Sequence, residues 1–124
     1  MPTLDIRTYP LTKEERHRVS TSLYEVMKEV VGDRVIDIYI SAYESFYRKA
    51  VDIEEPSALI SVLGAITINR HDFEILTKKV YQEFIKAVNK PDMNVTFSYS
   101  LTDQDHLAGN GVLLSDFPIN RLVK

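Results

Sequence analysis

Proline stands second in this chain of 124 residues, and Pro2-Thr3-Leu4-Asp5-Ile6-Arg7-Thr8-Tyr9 reads as the start of a buried strand. If Met1 is removed, the chain begins with a secondary amine. An α-amino group ionises near pH ~7.7–8 when unperturbed, and burial disfavours its charged form and lowers that value. A proline nitrogen on a strand at the floor of a pocket would then be neutral and basic near neutral pH. Abstraction of a proton from an acidic C–H requires such a group. The plain alternative is a proline at the first position of a strand, where its missing N–H costs nothing.

Other residue types narrow the chemistry. There is no cysteine, so neither a disulfide scaffold nor a thiol nucleophile is available. His17, His71 and His106 are widely spaced and form no ligand motif, so no metal is expected. Ser20, Thr21 and Ser22 fall in a helical stretch without a nucleophile elbow. No glycine-rich phosphate loop occurs, and no cofactor is expected. Tyr39, Phe97 and Tyr99 could wall a pocket for a planar enol, or pack in the core or at a subunit interface. Asp37 alternates to the polar face of its strand, facing solvent or pairing with Arg34. Arg7 shares a face with Thr3 and Asp5, and could bind substrate or pair with Asp5.

The elements that must position these residues follow from periodicity. The first strand spans about residues 3–8, with Leu4, Ile6 and Thr8 on one face. Thr12 and Glu15 form a capping box for a helix running to about Val31. Its apolar stripe is Val19, Leu23, Val26, Met27 and Val30, and Gly32 ends it. Residues 35–43 form a second strand, and 44–56 a polar connection. The pattern then repeats at an offset of roughly sixty residues. A long apolar strand covers 57–69, a helix capped by Asp72 runs to about Val88, and a strand covers about 94–101. Gly109-Asn110-Gly111 is a turn, Val112-Leu113-Leu114 a short final strand, and 115–124 a tail with Pro118.

This order predicts one α/β domain over residues 1–124. It is a two-layer sandwich of two β-α-β units (about 2–43 and 57–101), followed by a C-terminal strand and tail at 109–124. A four-stranded sheet carries two helices on one face. The other face is expected to be apolar and uncovered, which predicts self-association. Apolar residues make up 44% of the chain and charged residues 27%, as in an ordinary soluble domain. A net charge of −3 gives no basic field for nucleic acid or an anionic membrane. No apolar run spans a bilayer and no signal-peptide pattern is present, so a cytoplasmic protein is expected.

A chain opening Met-Pro, with strand, crossover helix and parallel strand followed by the same unit again, resembles the tautomerase superfamily. Pro2-Thr3-Leu4-Asp5-Ile6, Ser57-Ala58-Leu59-Ile60-Ser61-Val62 and Gly109-Asn110-Gly111-Val112-Leu113-Leu114 carry the resemblance, which covers about residues 2–114. The family includes 4-oxalocrotonate tautomerase, macrophage migration inhibitory factor and malonate semialdehyde decarboxylase. The resemblance implies a cofactor-free homotrimer with pockets near each Pro2 at subunit boundaries. It implies that Pro2 is the catalytic amine, interconverting keto and enol forms of a small 2-oxo acid. It also implies that Arg70 holds the substrate carboxylate, as a guanidinium can with two parallel hydrogen bonds; the alternative is a solvated arginine near a helix start. Asp37 matches an acidic partner of the decarboxylase branch, where a cationic proline acts as an acid. Thr67 and Ile68 stand where that branch carries a second arginine. The expected function is therefore a tautomerase, with Pro2 and Asp37 catalytic and Arg70, Tyr39 and Phe97 binding substrate. The alternatives are a lyase or hydratase of the same fold, or a catalytically silent trimeric binding module.

Overall fold

A computed structural model describes residues 2–32 and 34–117. The expectations concerning Met1 and residues 118–124, including Pro118, lie outside the described residues. Strand β1 (Thr3–Thr8) leads to helix α1 (Lys13–Val31) and strand β2 (Asp37–Ala42). A small hairpin follows, β3 (Tyr47–Arg48) with β4 (Val51–Asp52), turned by Lys49 and Ala50 at φ 50° and 63°. Then come β5 (Ser57–Gly64), α2 (Arg70–Val88) and β6 (Asn94–Leu101). A second hairpin, β7 (Ala108–Gly109) with β8 (Val112–Leu113), and a 3-10 turn at Leu114–Asp116 complete the described chain. Asn110 and Gly111 make the second hairpin turn at φ 52° and 82°, both in the left-handed region that a two-residue type I′ turn requires.

The main sheet has the order β2-β1-β5-β6. β1 pairs parallel with β2, β5 pairs parallel with β6, and the two units meet antiparallel along β1 and β5. Each parallel pair is joined by a crossover helix, and both helices lie against the same face. They run antiparallel to each other. Arg18 near the start of α1 donates to the Ala87 carbonyl near the end of α2 at 2.9 Å, and Glu29 near the end of α1 pairs with Lys79.

The core lies between these layers. Leu4, Ile6, Ile60 and Val62 of the sheet pack with Val19, Leu23 and Met27 of α1 and with Leu76, Val80 and Phe84 of α2. All are at most 1% exposed, so each contributes about 1.5–3 kcal/mol of burial free energy. The paired ladders also set an internal match. Thr3 lies opposite Asp37 and Ser57 opposite Asn94, each at the start of its parallel pair. Thr3 therefore corresponds to Ser57, and Pro2 to Pro56.

Three sequence expectations are corrected. The strand expected over 57–69 stops at Gly64, and residues 65–69 climb from the sheet to the helix layer. Ile66 and Ile68 pack on the core there without strand pairing, which is why the apolar run outlasts the strand. The cap of α2 is Asn69 rather than Asp72: the Asn69 side chain accepts from the Asp72 N–H at 2.9 Å, and α2 begins two residues before Asp72. The uncovered sheet face is mostly polar. Thr3, Asp5 and Arg7 of β1, Asp37 and Ser41 of β2, Ser61 of β5, and Thr96, Ser98 and Ser100 of β6 alternate onto it, with only Leu59, Leu63 and Tyr39 interrupting. The apolar alternates of the same strands belong to the helix-covered side.

Candidate active site

Pro2 sits at the amino-terminal end of β1, an inner strand, and its side chain is under 2% exposed. Its carbonyl accepts from the Asp37 N–H at 3.2 Å, tying it to the first residue of β2. The antiparallel ladder places Thr3 opposite Leu63, so Pro2 meets the last residue of β5, Gly64. A Cβ at Gly64 would stand 3.7 Å from the Pro2 Cβ and 2.9 Å from the Tyr99 hydroxyl. Glycine is thus the residue that lets the proline ring and the phenol approach from two sides.

Tyr99 reaches this point from β6. Its hydroxyl donates to the Ile66 carbonyl at 2.8 Å, and the Thr102 N–H donates to the Gly64 carbonyl at 2.8 Å. These two bonds fix the chain as it leaves β5. Burial holds the Tyr99 phenol above the ordinary tyrosine pKa. Phe73 of α2 crosses the Tyr99 ring edge-on with centroids 6.3 Å apart, and stacks on Phe97 at 5.9 Å. Phe97 lies one pleat along β6 from Tyr99, on the same helix-covered face and half-buried.

The other residues singled out in the sequence lie elsewhere in the single chain. Asp37 adjoins Pro2 through its backbone, but it belongs to the uncovered face and is exposed. Tyr39, 64% exposed, lies on that face too, beside Thr3, Asp5 and Ser61. It sits on edge strand β2, whereas Phe97 sits on edge strand β6 and on the other side of the sheet, so one chain does not join them in one wall. Arg70 is the first residue of α2; its side chain is 91% exposed and its Nε donates to Glu74 at 3.0 Å. Arg7 is near the far end of β1 from Pro2. His106 is exposed and pairs with Asp103 at 2.6 Å, which raises the imidazole pKa. Sequence reasoning missed Gly64 and Phe73 as neighbours of this site. The only signal was a glycine inside an apolar strand, and Phe73 read as one more member of a helix stripe.

The mixed four-stranded sheet and its two crossover helices form an α/β fold shared with solved tautomerase and migration-inhibitory-factor-like structures. Among solved structures that share it, Pt0534 inactivated by 2-oxo-3-pentynoate superposes with a TM-score of 0.77 at 7% identity, over 91% of this chain and 96% of that one. A macrophage migration inhibitory factor-like protein from Entamoeba histolytica gives 0.70 at 11% identity, over 90% and 97%. A fused 4-OT wild-type symmetric trimer gives 0.72 at 8% identity, over 91% and 98%. No family model matches the sequence, and no curated protein matches it. At such identities the likeness is one of fold. No helix among the described residues is long and apolar enough to cross a membrane.

Proposed function

We propose that this protein is a cofactor-independent tautomerase that interconverts keto and enol forms of a small 2-oxo acid through the nitrogen of Pro2. The observation that carries the reading is the enclosure of Pro2 at the end of an inner strand, against Gly64 and Tyr99. Removal of Met1 frees the secondary amine, and its dry surroundings favour the neutral, basic form. The nitrogen takes a proton from the carbon beside the ketone; the C–H pair becomes the new C=C bond and the carbonyl π pair moves onto the oxygen. Protonation of that oxygen gives the enol, and the reverse sequence regenerates the ketone.

Phe73 and Phe97 supply flat apolar surface next to the phenol of Tyr99, suited to a planar enol. In this reading the working unit is a homotrimer, in keeping with the fused 4-OT trimers of the same fold. The exposed Arg70 and Tyr39 would then act across a subunit boundary, Arg70 gripping the substrate carboxylate. Asp37, bonded through its N–H to the Pro2 carbonyl, favours the second reading, a lyase or hydratase in which it steadies a cationic proline.

Two measurements test the reading. Intact mass of the native protein is expected to lack Met1. Ketonisation of enol phenylpyruvate and of 2-hydroxymuconate is expected to fall by about 100-fold or more in Pro2→Ala. Equal rates in the two proteins would overturn the proline mechanism. Turnover of malonate semialdehyde without enol activity would replace it with the lyase reading. Because 2-oxo-3-pentynoate inactivates Pt0534, the same reagent is expected to add once per chain, at the Pro2 nitrogen.

A further inference from the structure

At the end of the sheet away from Pro2, a cavity of about 400 Å³ opens between the β3–β4 hairpin and the uncovered sheet face. Two guanidiniums line it, Arg7 from β1 and Arg48 from the hairpin, and no carboxylate does. Neither arginine forms an ion pair among the described residues. Arg48 instead lies over the Phe46 ring, 5.5 Å from its centroid, which leaves its in-plane N–H groups available. Tyr43, Phe46 and Tyr47 supply aromatic wall. Tyr43 is fixed because its hydroxyl accepts from the Ser57 N–H at 3.1 Å. Asn94 is held in place by one amide N–H, which donates to the Ser57 hydroxyl at 3.2 Å.

The internal match between the two units sharpens the point. The counterpart of this cavity, near the other end of the uncovered face, is lined by Asp5, Tyr39, Ser61 and Ser100 and holds no cation. Serine stands at the position that matches Arg7, since Ser61 follows Ser57 as Arg7 follows Thr3. The two halves have therefore diverged in charge on one face: one hollow is acidic, the other cationic. A pair of unpaired guanidiniums over an aromatic wall is complementary to a carboxylate attached to a flat apolar body.

We propose that the Arg7–Arg48 cavity is a second ligand site, separate from Pro2, for a small carboxylate with a flat apolar group. The carboxylate lies between the two guanidiniums and the flat body lies along Tyr43 and Tyr47. The site does not depend on a free Pro2 nitrogen.

The test is a titration of the isotope-labelled full chain with benzoate, followed by amide and arginine Nε resonances. Saturable shifts are expected at Arg7, Arg48 and Asn94. The dissociation constant read there is expected to rise at least tenfold in Arg7→Gln and in Arg48→Gln, and to stay the same in Pro2→Ala. Arg48→Lys, which keeps the charge and loses the fork, is expected to weaken binding less. Benzamide, the neutral isostere, is expected to bind the wild-type chain at least tenfold more weakly, a comparison that needs no variant to fold. Shifts confined to Thr3, Gly64 and Tyr99, equal binding of benzoate and benzamide, or constants unmoved by both arginine substitutions would overturn the proposal. So would the absence of saturable shifts.

Discussion

A single methyl group at residue 64 would stand 2.9 Å from the Tyr99 hydroxyl, closer than real Cβ atoms approach a neighbour. Gly64→Ala must therefore push the phenol off the Ile66 carbonyl, and it is expected to cost about 1–3 kcal/mol of stability, as overpacking does. Removing the hydroxyl first makes room, so the same change in a Tyr99→Phe background is expected to cost less. Denaturant titration of the four proteins of this cycle checks that coupling. Tyr99 also sets a pH dependence. Burial raises its folded pKa above the 10.0 of the unfolded residue, and burial followed by Glu15 and Tyr43 does the same for Tyr9. Their neutral forms help the native state fully below pH 10.0, and that help is lost as pH rises through the raised folded values. Unfolding free energy is thus expected to decline above pH 10.0, and less steeply in Tyr99→Phe. At this scale the placement of Pro2 at the head of a buried strand was legible from the alternation of Thr3–Thr8 that follows it. Gly64 was not, because its importance depends on two side chains brought from β6 and β1.

Helix starts decide how the layers meet. Thr12 makes both bonds of its box: its hydroxyl accepts from the Glu15 N–H at 3.1 Å, and its own N–H donates to the Glu15 carboxylate at 2.8 Å. Thr12→Ala is expected to cost about 1 kcal/mol, read as a lower denaturant midpoint with an unchanged slope. This cap was visible in the sequence because every atom in it comes from four consecutive residues. The start of α2 was harder to place. Asn69 and Asp72 are both capping types three residues apart, and the apolar pattern of 57–68 runs on past the strand. Two long-range bonds decide the matter, Thr102 to Gly64 and Tyr99 to Ile66, and neither has a local signal. The α2 cap also sets where Arg70 and Phe73 stand, so Asn69→Ala is expected to lower enol turnover along with stability.

At the scale of the molecule, the two repeats, the parallel pairs and the one-sided helix layer followed from periodicity and the right-handed crossover rule. The composition of the free face did not. The sequence expectation assigned too many apolar residues to it, whereas serine and threonine alternate there around Leu59, Leu63 and Tyr39. In the proposed trimer, self-association would use a few apolar positions, Leu63 and Tyr39 among them, within a hydroxyl-rich surface and the exposed edges of β2 and β6. Sedimentation equilibrium is expected to give three times the 14.3 kDa chain mass. Leu63→Lys, which charges an exposed position beside Gly64, is expected to reduce the assembly to single chains and to remove enol turnover with it.

The correspondence of Pro2 with Pro56 carries an arithmetic consequence for a chain built of two like halves. The peptide bond from Glu55 makes the second proline's nitrogen an amide, permanently without basicity, however closely its surroundings match. Under the proposed mechanism, joining the halves would therefore leave one reactive end for every two equivalent strand openings. Producing the halves as separate polypeptides, each beginning with its own proline, would restore symmetry in number.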